Sequence, residues 1–210
     1  MENKVYIIGA GGHGQVIADI VKKMGFKLVG FLDDNKSLIG HKIGDMPVIS
    51  PVAHAKELDG KFVIAVGDNE ARKKLADMLN FPDEKYLTVI HPSVIIGNNV
   101  RIGVGTMIVG GAVINTGTII GKHTIINTSV SIDHHNIIGD FVHIGPGTHT
   151  GGNVTIEEGT FLGIGTSVIP NRKIGRWSVI GAGAAVISDI PEFTVAVGIP
   201  ANVIKRRKLN

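Results

Sequence analysis

Seventeen consecutive six-residue frames, a glycine loop set between a strand and a helix, and a doubled glycine content together predict a two-part fold. The expected class is a Rossmann-like α/β half-domain followed by a parallel β-helix of hexapeptide repeats. A frame set on Ile90 leads with an aliphatic residue at every step across residues 90–186, except at Thr150. The position after the lead is often glycine, as in Gly97, Gly103, Gly121, Gly139, Gly151 and Gly163. Periods of 3.6 and of 2 both fail over this length, which excludes an amphipathic helix and an ordinary sheet. Glycine makes up 29 of the 210 residues, roughly twice the usual ~7%. Corners that need φ > 0 or close backbone approach account for such an excess.

The elements follow in order. Residues 4–8 read as a β-branched strand, and Gly9-Ala10-Gly11-Gly12-His13-Gly14 opens a helix ending near Met24 and Gly25. A second strand covers 27–32 and runs into Asp33-Asp34. Strand, glycine turn, helix and strand form a βαβ unit with a parallel pair. A further strand over 61–66 leads to Gly67-Asp68-Asn69 and a helix over about 70–79, with Asn69 as its N-cap. From residue 90 each hexad makes a short strand and a turn, so three hexads make a triangular coil of 18 residues. At ~4.8 Å per coil the prism stands roughly 25 Å tall. The register shift after Val186, with Pro191, marks where the coils stop. Expected domains are 1–85, 90–191 and a C-terminal tail, 192–210.

Composition narrows the function classes. Net charge is +3 and the mean hydropathy is +0.26, so the chain is neither disordered nor shaped for nucleic acid. Zero cysteine excludes disulfides, thiol catalysis and Cys-zinc sites. The first residues do not read as a signal peptide, and no run approaches the ~18 apolar residues of a membrane span. The expectation is a soluble cytoplasmic protein with neither nucleic acid nor membrane as a partner.

Several residues stand out for chemistry. Gly9, Gly11, Gly12 and Gly14, with His13 among them, have the context for phosphate at a helix N-terminus. Asp33 and Asp34 follow about 20 residues on, where an acid meets a ribose hydroxyl. Too few residues precede the hexads for a full dinucleotide fold, so a nucleotide linked to a sugar fits better. Gly67, Asp68, Asn69 and Arg72 form a second loop that lines the same crevice; the plain alternative for Arg72 is a solvated helix face. His134 follows the carboxylate Asp133, and one coil further lies Gly152. That stacking puts a glycine backbone beside the histidine, next to the one lost aliphatic lead. His135 reads as an exposed neighbour, and His123 and His149 as structural or surface residues.

The glycine-loop unit, the hexads and the ending Val197-Gly198-Ile199-Pro200-Ala201 resemble sugar acyltransferases of the NeuD/PglD-like family. Matching segments are residues 9–14, Phe31-Leu32-Asp33-Asp34, Gly67-Asp68-Asn69-Glu70 with Arg72, and Ile132-Asp133-His134. The resemblance implies a left-handed β-helix, a homotrimer with active sites between subunits, acetyl-CoA as co-substrate, and no metal. It implies N-acetylation of a nucleotide-linked amino sugar, of the UDP-4-amino-sugar type, for bacterial glycan biosynthesis. Under it His134 is the general base, Asp133 orients and supports the ring, and Gly152 donates to the oxyanion. Asn127 and His143 then contact acetyl or CoA, while Gly198, Pro200, Ala201 and Lys205 close over CoA, with Arg206 and Arg207 suited to its adenosine phosphates.

Three alternatives bear on this reading. A sialic acid O-acetyltransferase keeps the fold and the base, but would not need the nucleotide loop. A zinc carbonic anhydrase of the same prism fold needs two histidines five apart, whereas His134, His143 and His149 are spaced by nine and six. A non-enzymatic trimeric scaffold leaves Asp133, His134 and Gly152 without a purpose.

Overall fold

A five-stranded sheet opens the chain, and its parallel core follows from the βαβ pattern. The computed structural model describes residues 4–208; residues 1–3 of the expected α/β domain and 209–210 of the expected tail lie outside it. Strand β1 (Lys4–Ile8) pairs in parallel with β2 (Lys27–Leu32), and helix α1 (Gly12–Lys23) makes the crossover between them. A hairpin not foreseen in the sequence, β3 (Lys42–Ile43) and β4 (Met46–Ser50), extends the sheet beyond β2. Strand β5 (Lys61–Ile64) closes the other side, giving the order β3-β4-β2-β1-β5.

Helix α2 (Asn69–Leu79) starts one residue earlier than its sequence suggests. Asp68, not Asn69, is the N-cap: it is extended, and its carboxylate accepts the Ala71 N–H at 2.8 Å. The cap shift frees Asn69 for another contact. Its amide donates to the carbonyls of Gly159 and Thr160, 3.0 and 3.2 Å away on the prism.

The hexads fold into a left-handed parallel β-helix. Its strands are two residues long and run from Val89–Ile90 to Ala185–Val186. They stack in register 18 residues apart, for example Val113↔Ser131↔His149. The first face carries Ile95–Ile96 up to Ala185–Val186, and the second Arg101–Ile102 up to Lys173–Ile174. The third carries Val89–Ile90 up to Val179–Ile180 and continues with Thr194–Val197 and the antiparallel Asn202–Arg206. The register slips after Val186, but the ladder does not stop there: Val179 pairs with Val195. Ile190, Ala196 and Ala201 then cover the end of the aliphatic stack.

Glycine serves this fold in two separate columns. The glycines after each lead have no positive φ; they are required by close approach. A Cβ on Gly139 would lie 2.6 Å from the Glu158 amide nitrogen in the next coil. Positive φ falls two residues later, at Gly117 (72°) or Gly147 (63°), and there Asn also fits, as in Asn153 and Asn171. One corner fills this left-handed position with rings: His123, Phe141, Trp177 and Phe193. His123 stacks on Phe141 at 5.3 Å, and both face the α/β unit.

A hydroxyl ladder runs inside the turns. Thr106, Thr124, Thr148 and Thr160 each donate to a carbonyl fifteen residues on, those of Gly121, Gly139, Gly163 and Gly175. Among the described residues these hydroxyls are the donors found for Gly121 O, Gly139 O and Gly175 O, whereas Gly163 O also accepts from Thr166.

The α/β unit and the prism share one core. Ile17, Ile20 and Val21 of α1 cluster with Val89, Met107 and Ile125 on the outward side of the third face. Arg72 bolts the two together. It is fully buried, and its guanidinium donates to the carbonyls of His123 (2.7 Å), Val66 (2.7 Å) and Phe141 (2.8 Å) and to Asn69 Oδ1 (2.7 Å). It is not a solvated helix face.

Candidate active site

Two groups of polar residues emerge, on opposite sides of the prism. The first sits on the turn between the first and second faces. His134 and Gly152 occupy equivalent turn positions in adjacent coils, because 18 residues make one coil. A Cβ on Gly152 would come within 2.5 Å of His134 Nε2, so the imidazole lies directly over the glycine backbone. The turns are tied by Asn153 N–H donating to His134 O at 3.0 Å. Among the described residues, the Gly152 N–H has no acceptor.

Asp133 supports this turn differently from the triad-like pairing its sequence position suggests. Its carboxylate accepts the His134 backbone N–H at 2.8 Å and Asn115 Nδ2 at 3.1 Å. These two bonds hold it below the usual carboxylate range, so it is anionic beside the histidine. The His134 ring instead meets His135, Nδ1 to Nδ1, at 3.0 Å. His135 takes the left-handed turn position at φ 56° and stays exposed, as expected.

The second group lines a cavity of about 350 Å³ between the start of α2 and the third face. Gly67, Asp68 and Asn69 form one wall; His143, Phe161 and Val179 form the other, and Arg207 closes the end. His143, Phe161 and Val179 are one ladder, 18 residues apart, so the register alone identifies the two apolar residues that sequence reading passed over. Arg207 pairs with Glu70 at 2.5 Å and donates to Trp177 O at 3.0 Å.

His143 has a defined tautomer. Gly67 O can only accept, so Nδ1 carries the proton and donates to it at 3.1 Å. Nε2 then accepts from Asn127 Nδ2 at 3.2 Å, and Asn127 Oδ1 is fixed by the Thr128 N–H. Burial first, and the Arg72 charge second, lowers His143 to about 4, so it is neutral at pH 7. Asn127 and His143 thus stand together, with Gly67, while His134 does not join them. His143 lies on the third face, opposite the corner that carries His134.

The glycine loop stands at the α1 N-terminus. A Cβ on Gly14 would collide with Gly9 O, whereas a Cβ on Gly11 or Gly12 would meet nothing within 4 Å. These two leave an open approach to the helix start. Burial, and then Arg72, lowers His13 to about 4 as well, and its ring centroid is 6.3 Å from that of His143. Asp33 bonds inward, accepting the Ala10 and Asn35 N–H groups at 2.8 Å each. Asp34 accepts from Val52 N–H at 2.9 Å. Gly198 O and the Ala201 N–H bond to Ala185 at the prism's end, whereas Pro200 and Lys205 are exposed. Among the described residues no cluster suits a metal ion, and no helix is long and apolar enough to cross a membrane.

A hexapeptide β-helix with a corner histidine over a free glycine N–H, fused to a phosphate-type loop, defines an acyltransferase of the hexapeptide-repeat class. Comparisons narrow the class. Residues 4–79 match the PglD N-terminal domain. UDP-N-acetylbacillosamine N-acetyltransferase of Bacillus subtilis (strain 168) is 42% identical over 108 residues; the match spans about half of this chain and half the length of that relative. PerB from Caulobacter crescentus, solved with CoA and GDP-perosamine, is 32% identical at a TM-score of 0.88, covering 96% of this chain and 97% of that one. The acetyltransferase domain of PglB from Neisseria gonorrhoeae, solved with acetyl coenzyme A, is 32% identical at 0.88, covering 97% and 100%. The chain belongs to the PglD-like family of acetyl-CoA-dependent sugar acyltransferases.

Proposed function

We propose that the protein transfers the acetyl group of acetyl-CoA to the amine of a nucleotide-linked amino sugar. The observation that carries this is the His134 imidazole lying over the unbonded Gly152 N–H, in a chain whose glycine loop is open at Gly11 and Gly12. His134 takes the proton as the sugar amine attacks the thioester carbon. The Gly152 N–H donates to the oxyanion that forms. As the tetrahedral intermediate collapses, the carbon–sulfur bond breaks and protonated His134 returns its proton to the CoA thiolate. The nearby Asp133 carboxylate stabilises the imidazolium. With Nδ1 facing His135, Nε2 is the nitrogen left to accept the proton.

The nucleotide end belongs to the α/β unit, 1–85. Gly9, Gly11, Gly12 and Gly14 present the α1 N-terminus to a phosphate, with His13 alongside. Asp33 and Asp34 hold that loop and its neighbour in shape. The prism, 90–191, supplies the chemistry. The cavity beside Asn127 and His143 suits a neutral acyl group or pantetheine, because the histidine is uncharged and Phe161 and Val179 are apolar. The tail, 192–210, with Gly198, Pro200, Ala201, Lys205 and Arg207, borders CoA.

One chain holds the base and the cavity on opposite sides, so a working site needs a second copy. Ile95, Ile137 and Ile164 are 52–64% exposed on the prism, and a cyclic trimer would cover such residues. Thiol release from acetyl-CoA, measured against UDP-, GDP- and dTDP-linked amino sugars and free sialic acid, tests the reading. Saturation by one nucleotide-linked amine, and loss of at least ~100-fold in His134→Ala, is expected. Activity on sialic acid alone, or full activity in the variant, would refute it.

A further inference from the structure

Inside the prism, directly beneath the His134 turn, one side chain breaks the hydroxyl ladder. Asn136 is fully buried and stands where Thr118 stands one coil earlier and Val154 one coil later. Its Nδ2 donates to Asp133 O at 2.7 Å, to His134 O at 3.3 Å and to Gly151 O at 2.9 Å. All three neighbours are carbonyl oxygens, so the amide can face them only with its NH₂ group. A threonine at this level reaches fewer: Thr118 donates only to Asp133 O. The carboxamide therefore joins two consecutive coils at the level of the proposed chemistry.

The link to Gly151 has a further consequence. Gly151 O and the Gly152 N–H belong to one trans peptide and point in opposite directions. Drawing the carbonyl inward onto Asn136 turns the N–H outward, toward the His134 side. The same NH₂ group holds the carbonyls of Asp133 and His134, which set the backbone from which the imidazole projects. Resting on the reading of His134 as base and Gly152 as oxyanion donor, we infer that Asn136 is a positioning residue that fixes the spacing between them. It touches no substrate.

The fold itself supplies the test variants, because Thr and Val already occupy this column. Asn136→Thr retains a donor for Gly151 O and loses the clasp on its own turn; Asn136→Val loses both. Thr106→Val removes a ladder hydroxyl far from the site and serves as the stability control. Steady-state kinetics on the trimeric enzymes should show kcat lowered roughly 10-fold in Asn136→Thr and 100-fold in Asn136→Val. KM for both substrates should stay within about twofold, since binding groups are untouched. Thr106→Val should leave kcat unchanged. Wild-type kcat in Asn136→Val beside an inactive His134→Ala would overturn this inference alone. A kcat loss matched by Thr106→Val would overturn it too, as a stability effect. Full activity in His134→Ala would overturn both this inference and the base it rests on.

Discussion

Gly152 carries no side chain because the His134 imidazole already occupies the space its Cβ would take. Gly152→Ala must push the ring aside while also crowding an N–H that has no acceptor among the described residues. The expected loss is at least ~100-fold in kcat, with the protein still folded, because losing one oxyanion donor has that magnitude. Steady-state kinetics beside a melting curve checks it; an alanine variant of wild-type kcat would remove Gly152 from the mechanism. This pairing was legible in the sequence, since an 18-residue coil puts Gly152 above His134. The partners of Asp133 were not. Sequence adjacency suggested a carboxylate on the ring, but in a tight turn it is the backbone N–H of the next residue that lies within reach. The buried role of Arg72 was equally hidden, because a charged residue on a polar helix face gives no sign of the carbonyls it will meet in the other domain.

At the scale of elements, the turn columns carry most of the structural logic. Lead positions fill the core, glycines after them admit the next coil, and hydroxyls reach carbonyls at the same corner of the next coil. Thr106→Val should therefore cost about 1–3 kcal/mol, the range for leaving a buried polar group without its partner. Denaturant unfolding would show this, and an unchanged midpoint would contradict the ladder's role. The aromatic corner gives a pH prediction. Burial, then the Arg72 charge, lowers His123 to about 4, and His13 and His143 share that value and those causes. Between about 6.5 and 4 the unfolded chain binds protons that the native protein refuses, so unfolding is favoured as pH falls through that window. The stabilisation is complete above about 6.5 and is lost progressively toward 4. His123→Phe suits the left-handed corner, where Phe141 and Phe193 already sit at φ 56° and 53°. It should flatten the acid side of the melting-temperature profile relative to wild type. An unaltered profile would show that His123 is not one of the groups responsible. The hexads were readable because one residue type repeats at one spacing; the β3–β4 hairpin was not, because its strands are short and Lys42–Ile43 has no pattern to detect.

For the whole molecule, the decisive feature is that the two candidate groups lie on different sides of the prism. His134 stands on the corner between the first two faces, and the cavity with Asn127 and His143 lies on the third. Trimer geometry is an expectation from family resemblance, and under the proposed function it would bring His134 of one chain to the cavity of its neighbour. Light scattering should report a particle about three times the 22.2 kDa chain. The most direct test mixes two inactive parents. His134→Ala and His143→Ala subunits are co-unfolded, reassembled and assayed together. If each site takes His134 from one chain and the cavity from its neighbour, random cyclic trimers regain about one quarter of wild-type activity. Activity no greater than the sum of the two parents would contradict a site shared between chains.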